Sequence, residues 1–274
     1  MIQKDNNVLF DHIPKTGGIT MRIILNRVYG PETVFTINST DIGQSLESFS
    51  SFTPDQRKKY SVIAGHGASL FTHLMEDPFR LTILREPVSL FLSQYYFLKI
   101  SRGTNFFEEV RTLNSIEDYL DYAIRMGQDN LLTRYLSHSI GFLADRELPV
   151  PDMKVEGDRL LELATKNLFD YDAVIDLANF DSGVYVLASK LGWPHIPVYR
   201  PSNRNKSKPG KEGLTGASRG RLYEVLKYDL TLFETFKKNR IGVENQVNRN
   251  AFPFFIFKIR QRGINATAKL LGKN

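Results

Sequence analysis

The sequence predicts an α/β fold, a central parallel sheet flanked by helices. Two observations carry that prediction. Short apolar runs recur along the chain, and most are followed, after a turn, by apolar residues at helical spacing. The length, 274 residues with 42% hydrophobic content, can bury a large core and fits a single domain over 1–274 with a helical tail from about 245 to 274.

The first run, Asn7 to Ile13, ends in Pro-Lys-Thr-Gly-Gly, after which Met21, Ile24, Leu25 and Val28 recur at helical spacing. Ser61 to Ala64 and Arg80 to Leu84 are further strand candidates, the second leading into a helix with Pro87 near its first position. Ser115 to Ser137 keeps a helical pattern through Ile116, Tyr119, Leu120 and Ala123, and Asp172 to Leu177 reads as a strand opening into a helix that runs through Leu191. Pro201 to Gly220, rich in Lys, Arg, Ser, Gly and Pro, is an exposed loop, and Leu222 to Phe236 resumes helical spacing. The tail from Ala251 to Lys273, AFPFFIF followed by spaced Lys and Arg, admits two readings. One is a helix docked on the core through its phenylalanines; the other is peripheral contact with a membrane surface or a partner.

Lys and Arg number 36 against 30 Asp and Glu, a net charge of +6 and a pI near 9.3. That balance suits anionic ligands such as nucleotides, phosphates or acidic sugars. The absence of cysteine excludes disulfides, zinc-thiolate sites and thiol catalysis. No run approaches the roughly 18 apolar residues of a membrane span, and the N-terminus has no signal-type apolar region, so a cytoplasmic location is expected.

In HIPKTGGIT, two glycines let the backbone approach a ligand closely, and the following helix start offers amides and a favourable dipole to an anion, with Lys15 adding a point charge. The pattern is not a Walker A motif, because the lysine precedes the glycines and GxxxxGK[ST] is absent. Taken alone, the segment is equally compatible with an ordinary tight turn. In LTILREPVSLFLSQYYFLK, Arg85 closes a strand, where open parallel sheets place their ligands, and its guanidinium suits a phosphate. On the helix from Pro87, Val88, Phe91, Leu92 and Tyr95 form a buried stripe, while Ser89, Ser93 and Tyr96 fall on another face, so Ser93 can share a ligand with Arg85. A surface pair of Arg85 with Glu86 is the plainer alternative.

Together, HIPKTGG and LREPVSLFLSQYYFLK resemble the two segments that bind 3′-phosphoadenosine 5′-phosphosulfate (PAPS) in the sulfotransferase superfamily, in the pattern of the uronyl and heparan sulfate 2-O-sulfotransferase branch. The likeness covers about Val8 to Lys99, with fainter echoes in QDNLLTRYLSH and RPSNRNKSKPGKEGL. It implies a P-loop-kinase-like sulfotransferase fold and transfer of a sulfuryl group from PAPS to a hydroxyl of a sugar or polysaccharide. Carried over, Lys15 would meet the sulfate and the bridging oxygen, and Thr16, Gly17, Gly18, Ile19 and Thr20 would hold the 5′-phosphate. Arg85 and Ser93 would bind the 3′-phosphate, and the loop around Asn205, Lys206, Ser207 and Lys208 would close over the nucleotide. Glu86 stands where the branch more often has aspartate, and Leu90 where it often has a basic residue; neither change removes a ligand group. Without the membrane anchor of the Golgi enzymes, the chain resembles a soluble, bacterial-type member.

The acceptor hydroxyl needs a base. His66, in SVIAGHGASLF, lies in a glycine-flanked turn after a strand, at the same sheet edge as Lys15 and Arg85, and an ordinary imidazole pKa of about 6.5 suits the task. It also matches the catalytic histidine of the resembled branch, although Ala64 stands where that branch often has a second one. Glu86 is the fallback base. His12, His73, His138 and His195 read as structural or solvated, and no spacing suggests a metal site. Asn130 and Arg134, one helical turn apart, read as meeting the acceptor, supporting the cofactor loop, or forming a solvated face.

Two other functions remain open to the sequence. A nucleotide-dependent phosphotransferase would need a Mg²⁺-holding Ser or Asp arrangement, for which Thr16 and Asp11 are poor substitutes. A non-catalytic basic module for anionic polymers would tolerate loss of His66, but no recognised nucleic-acid motif appears and nucleic acid is not the expected partner.

Overall fold

The computed structural model describes residues 7–100, 107–139, 150–200, 214–239, 241–247 and 252–270. In chain order these form β1 (Val8–Asp11), α1 (Gly18–Tyr29), β2 (Val34–Thr36), α2 (Ile42–Ser51), α3 (Pro54–Arg57), β3 (Val62–Gly65), β4 (Phe79–Leu84), α4 (Pro87–Leu98), α5 (Phe107–Thr112), α6 (Ile116–Arg125), α7 (Leu131–Leu136), α8 (Met153–Phe169), β5 (Ala173–Asp176), α9 (Phe180–Lys190), α10 (Gly216–Val225), α11 (Lys227–Lys238) and α12 (Phe252–Leu270). They divide into two compact units, the described parts of Met1–Leu84, Tyr171–Arg204 and Arg240–Asn274 in one, and of Arg85–Asp170 and Asn205–Asn239 in the other.

The first unit holds the five-stranded sheet, in the order β2-β3-β1-β4-β5. Every pair is parallel, with Val8 opposite both Val62 and Phe79, and Leu81 opposite Ala173. Strands β1, β3 and β5 are buried along their whole length, because helices cover both faces of such a sheet. Met21, Ile24 and Leu25 of α1 and Val184, Leu187 and Ala188 of α9 complete that core. The expected α/β architecture is therefore present, and β2, only three residues long, is the strand the periodicity missed. Because β1 lies between β3 and β4, chain connections diverge at its carboxyl end, the position where open sheets leave a crevice.

The tail helix takes the docked reading. Phe254 and Phe257 of α12 are buried against Tyr185 of α9. Lys258 pairs with Asp181, and the Gln261 amide both accepts from the Tyr199 amide (3.1 Å) and donates to the Tyr199 carbonyl (2.6 Å). Among the described residues, no helix is long and apolar enough to cross a membrane.

The second unit is helical in its described residues. The stretch expected as one helical pattern over 115–137 is broken between α6 and α7, where Gly127 (φ 61°) and Asn130 (φ 47°) take left-handed conformations. Of the three readings open for Asn130 and Arg134, the solvated face is the one the structure excludes. Both are fully buried, Arg134 on the Asp129 carboxylate at 2.8 Å and Asn130 on the Val225 carbonyl at 2.7 Å. Asp229 of α11 completes the network by accepting from the first amides of α7, Leu132 at 3.0 Å and Thr133 at 2.7 Å. A buried arginine needs such partners, since an unpaired charge in that position would be prohibitively costly.

Candidate active site

The turn between β1 and α1 carries the Lys15 segment. Lys15 (φ 66°) and Gly17 (φ 91°) are both left-handed, a geometry that turns successive backbone N–H groups toward one concavity suited to an anion. Thr16 is buried and holds the turn closed, its hydroxyl donating to the Ile13 carbonyl at 2.7 Å. Helix α1 opens at Gly18 with no side-chain cap, so the first amides lie outside the intrahelical ladder and its dipole favours negative charge there. Ile19 is exposed on the first turn, and Thr20 is buried behind it. Gly18 has no room for a side chain: a Cβ there would come within 1.9 Å of the His12 ring.

His66 follows β3 between two glycines with positive φ, Gly65 (156°) and Gly67 (70°). Its Nδ1 lies 2.5 Å from the His12 carbonyl oxygen. A carbonyl can only accept, so Nδ1 carries the proton and Nε2 the lone pair. The His66 and His12 rings stack with centroids 4.5 Å apart and planes 23° off parallel, and His12 stacks in turn on Phe10 at 5.8 Å. Burial pulls the His66 pKa below its ordinary 6.5, opposed by its bond to the His12 backbone and by Asp11, and reinforced by Arg22. The same effect is stronger at His12, where burial is joined by the positive fields of His66, Arg22 and Lys15. Both imidazoles are thus neutral at physiological pH, the state a base requires. Asp11, buried at the end of β1, accepts from the Tyr171 hydroxyl at 2.7 Å.

His12, read from the sequence as structural or solvated, lies between the glycine turn and His66. Its position one residue past the central strand was the available signal.

Arg85 and Ser93 belong to the second unit. Arg85 precedes α4 and is half-buried; burial lowers its pKa, and Glu86 draws it back. A guanidinium so placed stays charged. Glu86 is the N-cap of α4, accepting from the Val88 amide at 3.3 Å and the Ser89 amide at 2.9 Å, with Pro87 at the first helical position as expected. Its carboxylate is therefore engaged by backbone. Ser93 is buried on α4 beside the apolar stripe of Val88, Phe91, Leu92 and Tyr95. Lys206 and Ser207 lie outside the described residues.

A strand-end glycine turn with a lysine, a second segment led by an arginine, and a neutral strand-end histidine are the parts that group transfer from an anionic nucleotide needs. The model of the Sulfotransferase family matches residues 1–237. The chain belongs to that family. This sulfotransferase is an enzyme of sulfuryl transfer, and family membership implies PAPS as the donor and a hydroxyl-bearing acceptor. No curated protein matches the sulfotransferase at a significant level. The match begins in the first unit and takes in the described helices of the second up to most of α11; α12 lies beyond it.

Proposed function

We propose that this sulfotransferase sulfates a carbohydrate hydroxyl, with His66 as general base and Lys15 stabilising the leaving group. The observation that carries the reading is the hydrogen bond from His66 Nδ1 to the His12 carbonyl, because it leaves the lone pair on Nε2, in a ring that burial keeps neutral. Nε2 takes the acceptor proton as the hydroxyl attacks, and Lys15 supplies positive charge where the leaving oxygen becomes negative. Bound PAPS supplies the activated sulfuryl group. The left-handed Lys15–Gly17 turn and the opening of α1 suit its 5′-phosphate. The Arg85 guanidinium and the Ser93 hydroxyl suit its 3′-phosphate, with Lys206 and Ser207 completing the nucleotide contacts. A sugar acceptor follows from the 2-O-sulfotransferase pattern of LREPVSLFLSQYYFLK.

Titration calorimetry with PAP, the desulfated donor, in chelator-containing buffer tests the donor assignment. Micromolar binding is expected, lost in Arg85→Ala and kept in His66→Ala. With labelled PAPS, transfer to uronic-acid polysaccharides should exceed transfer to simple phenols and fall about 10²–10⁴-fold in His66→Ala. Failure of the intact protein to bind PAP rules the reading out.

A further inference from the structure

His12 occupies a place that no role so far accounts for. On one side its ring closes on Gly18, where even a methyl group would overlap it. On the other it lies flat against His66 at 4.5 Å, and its own carbonyl takes the His66 Nδ1 proton. Phe10 stacks behind it, with planes 15° off parallel. The two histidines are 54 residues apart in sequence and meet because β1 and β3 are adjacent, Phe10 opposite Ala64 and Asp11 opposite Gly65. The charged groups acting on the pair are Lys15 in the turn, Arg22 on α1, and Asp11, whose carboxylate is held by Tyr171.

An imidazole can rotate about χ1 and χ2, and the hydrogen bond at Nδ1 fixes one point of the ring. A flat partner on its face further restrains its plane. Burial disfavours the charged form of both rings, and a charge on His66 would further disfavour one on His12. The glycine at position 18 is then required by His12 as much as by any ligand, since a side chain there would push the ring into His66.

We propose that His12 is the positioning residue for His66: its ring, wedged between Gly18 and the His66 imidazole, holds that imidazole in the plane in which Nδ1 meets the His12 carbonyl, which leaves Nε2 as the base. This inference rests on the reading of His66 as the base. His12 itself makes no contact with the reacting atoms in this role; it acts through His66.

Nitrogen-15 NMR of the full chain reads the tautomer and pKa of each histidine directly, with no acceptor needed. In the unmodified protein, His66 should titrate below 6.5 as a single Nδ1–H tautomer. His12→Leu, which keeps bulk but not a flat ring, should give a mixture of His66 tautomers and a pKa shifted back toward 6.5. His12→Phe, which restores the flat face without a titratable group, should return the unmodified signature. A merely structural His12 would not be rescued in this way. If His66 keeps its tautomer and pKa in a His12→Leu protein whose amide spectrum is folded, the inference is overturned. An Nε2–H tautomer for His66 in the unmodified protein overturns it without any variant. PAP calorimetry on the same samples separates the two readings, because absent binding by the intact protein removes the donor site, whereas an unchanged His66 signature in His12→Leu removes only the role of His12.

Discussion

Lys15 adopts φ 66°, a conformation that brings Cβ close to the carbonyl oxygen and costs a residue other than glycine roughly 1–2 kcal/mol. Glycine would sit there unstrained, so a lysine at this position costs stability. Lys15→Gly should therefore raise the melting temperature, by an amount equivalent to about 1 kcal/mol, while weakening PAP binding and turnover. A melt and a PAP titration on the same variant check both halves. An ordinary turn lysine would show the first effect without the second. The histidines behave differently, because their strain is electrostatic: each is held neutral by burial.

At the scale of elements, helix ends and docked faces decide what can move. Helix α4 is held at its start by Glu86 and Pro87, which places Arg85 immediately before a well-capped helix. Such a cap contributes about 1 kcal/mol. Helix α12 buries Phe254 and Phe257 against Tyr185. Phe257→Ala should lower stability by about 3 kcal/mol in a denaturant melt carried out in plain buffer. A tail that waited for a membrane or partner would leave that melt unchanged. The same helix shows how sequence can mislead at this scale. AFPFFIF with trailing cations has the composition of a membrane-surface helix, and only the presence of Tyr185 and Asp181 opposite it settles that Phe254 and Phe257 face the core while Phe255 faces outward.

Across the whole molecule, buried groups in the two units push the pH response in opposite senses. In the first, His12 and His66 have folded pKa values below the ordinary 6.5, so the unfolded chain binds more protons and stability is lost as pH falls below about 6.5. In the second, burial raises Asp229 to about 6 against the backbone bonds that lower it. There the folded state binds more protons, and the associated stability, present at low pH, is lost as pH rises through about 6. Hydrogen exchange between pH 7.5 and 5 should show amides of β1 and β3 losing protection on acidification while those following Asn130 in α7 gain it. His12→Phe should reduce the first response, leaving the part due to His66, and Asp229→Asn should flatten the second. Parallel behaviour of both sets of amides would show that these groups do not control the pH response.

Local chemistry made much of this readable in advance. Strand, turn and helix around Lys15, and strand, arginine and proline-led helix around Arg85, are contiguous segments whose spacing reports their structure, and family membership follows from the same residues. The interruption at Gly127 to Asn130 was less readable, because the apolar spacing continues across it while the backbone does not. The burial of Arg134 was not readable either, for its partner network includes Asp229 on a helix far along the chain. By itself, then, the sequence determined the α/β class and the family, and nominated the Lys15 and Arg85 segments and His66 as site candidates, since each depends on neighbours within a few residues. Only the tertiary structure decided that His12 stacks on His66, that Gly18 makes room for it, and that α12 faces inward, because each of those contacts exists only once strands and helices distant in sequence have packed side by side.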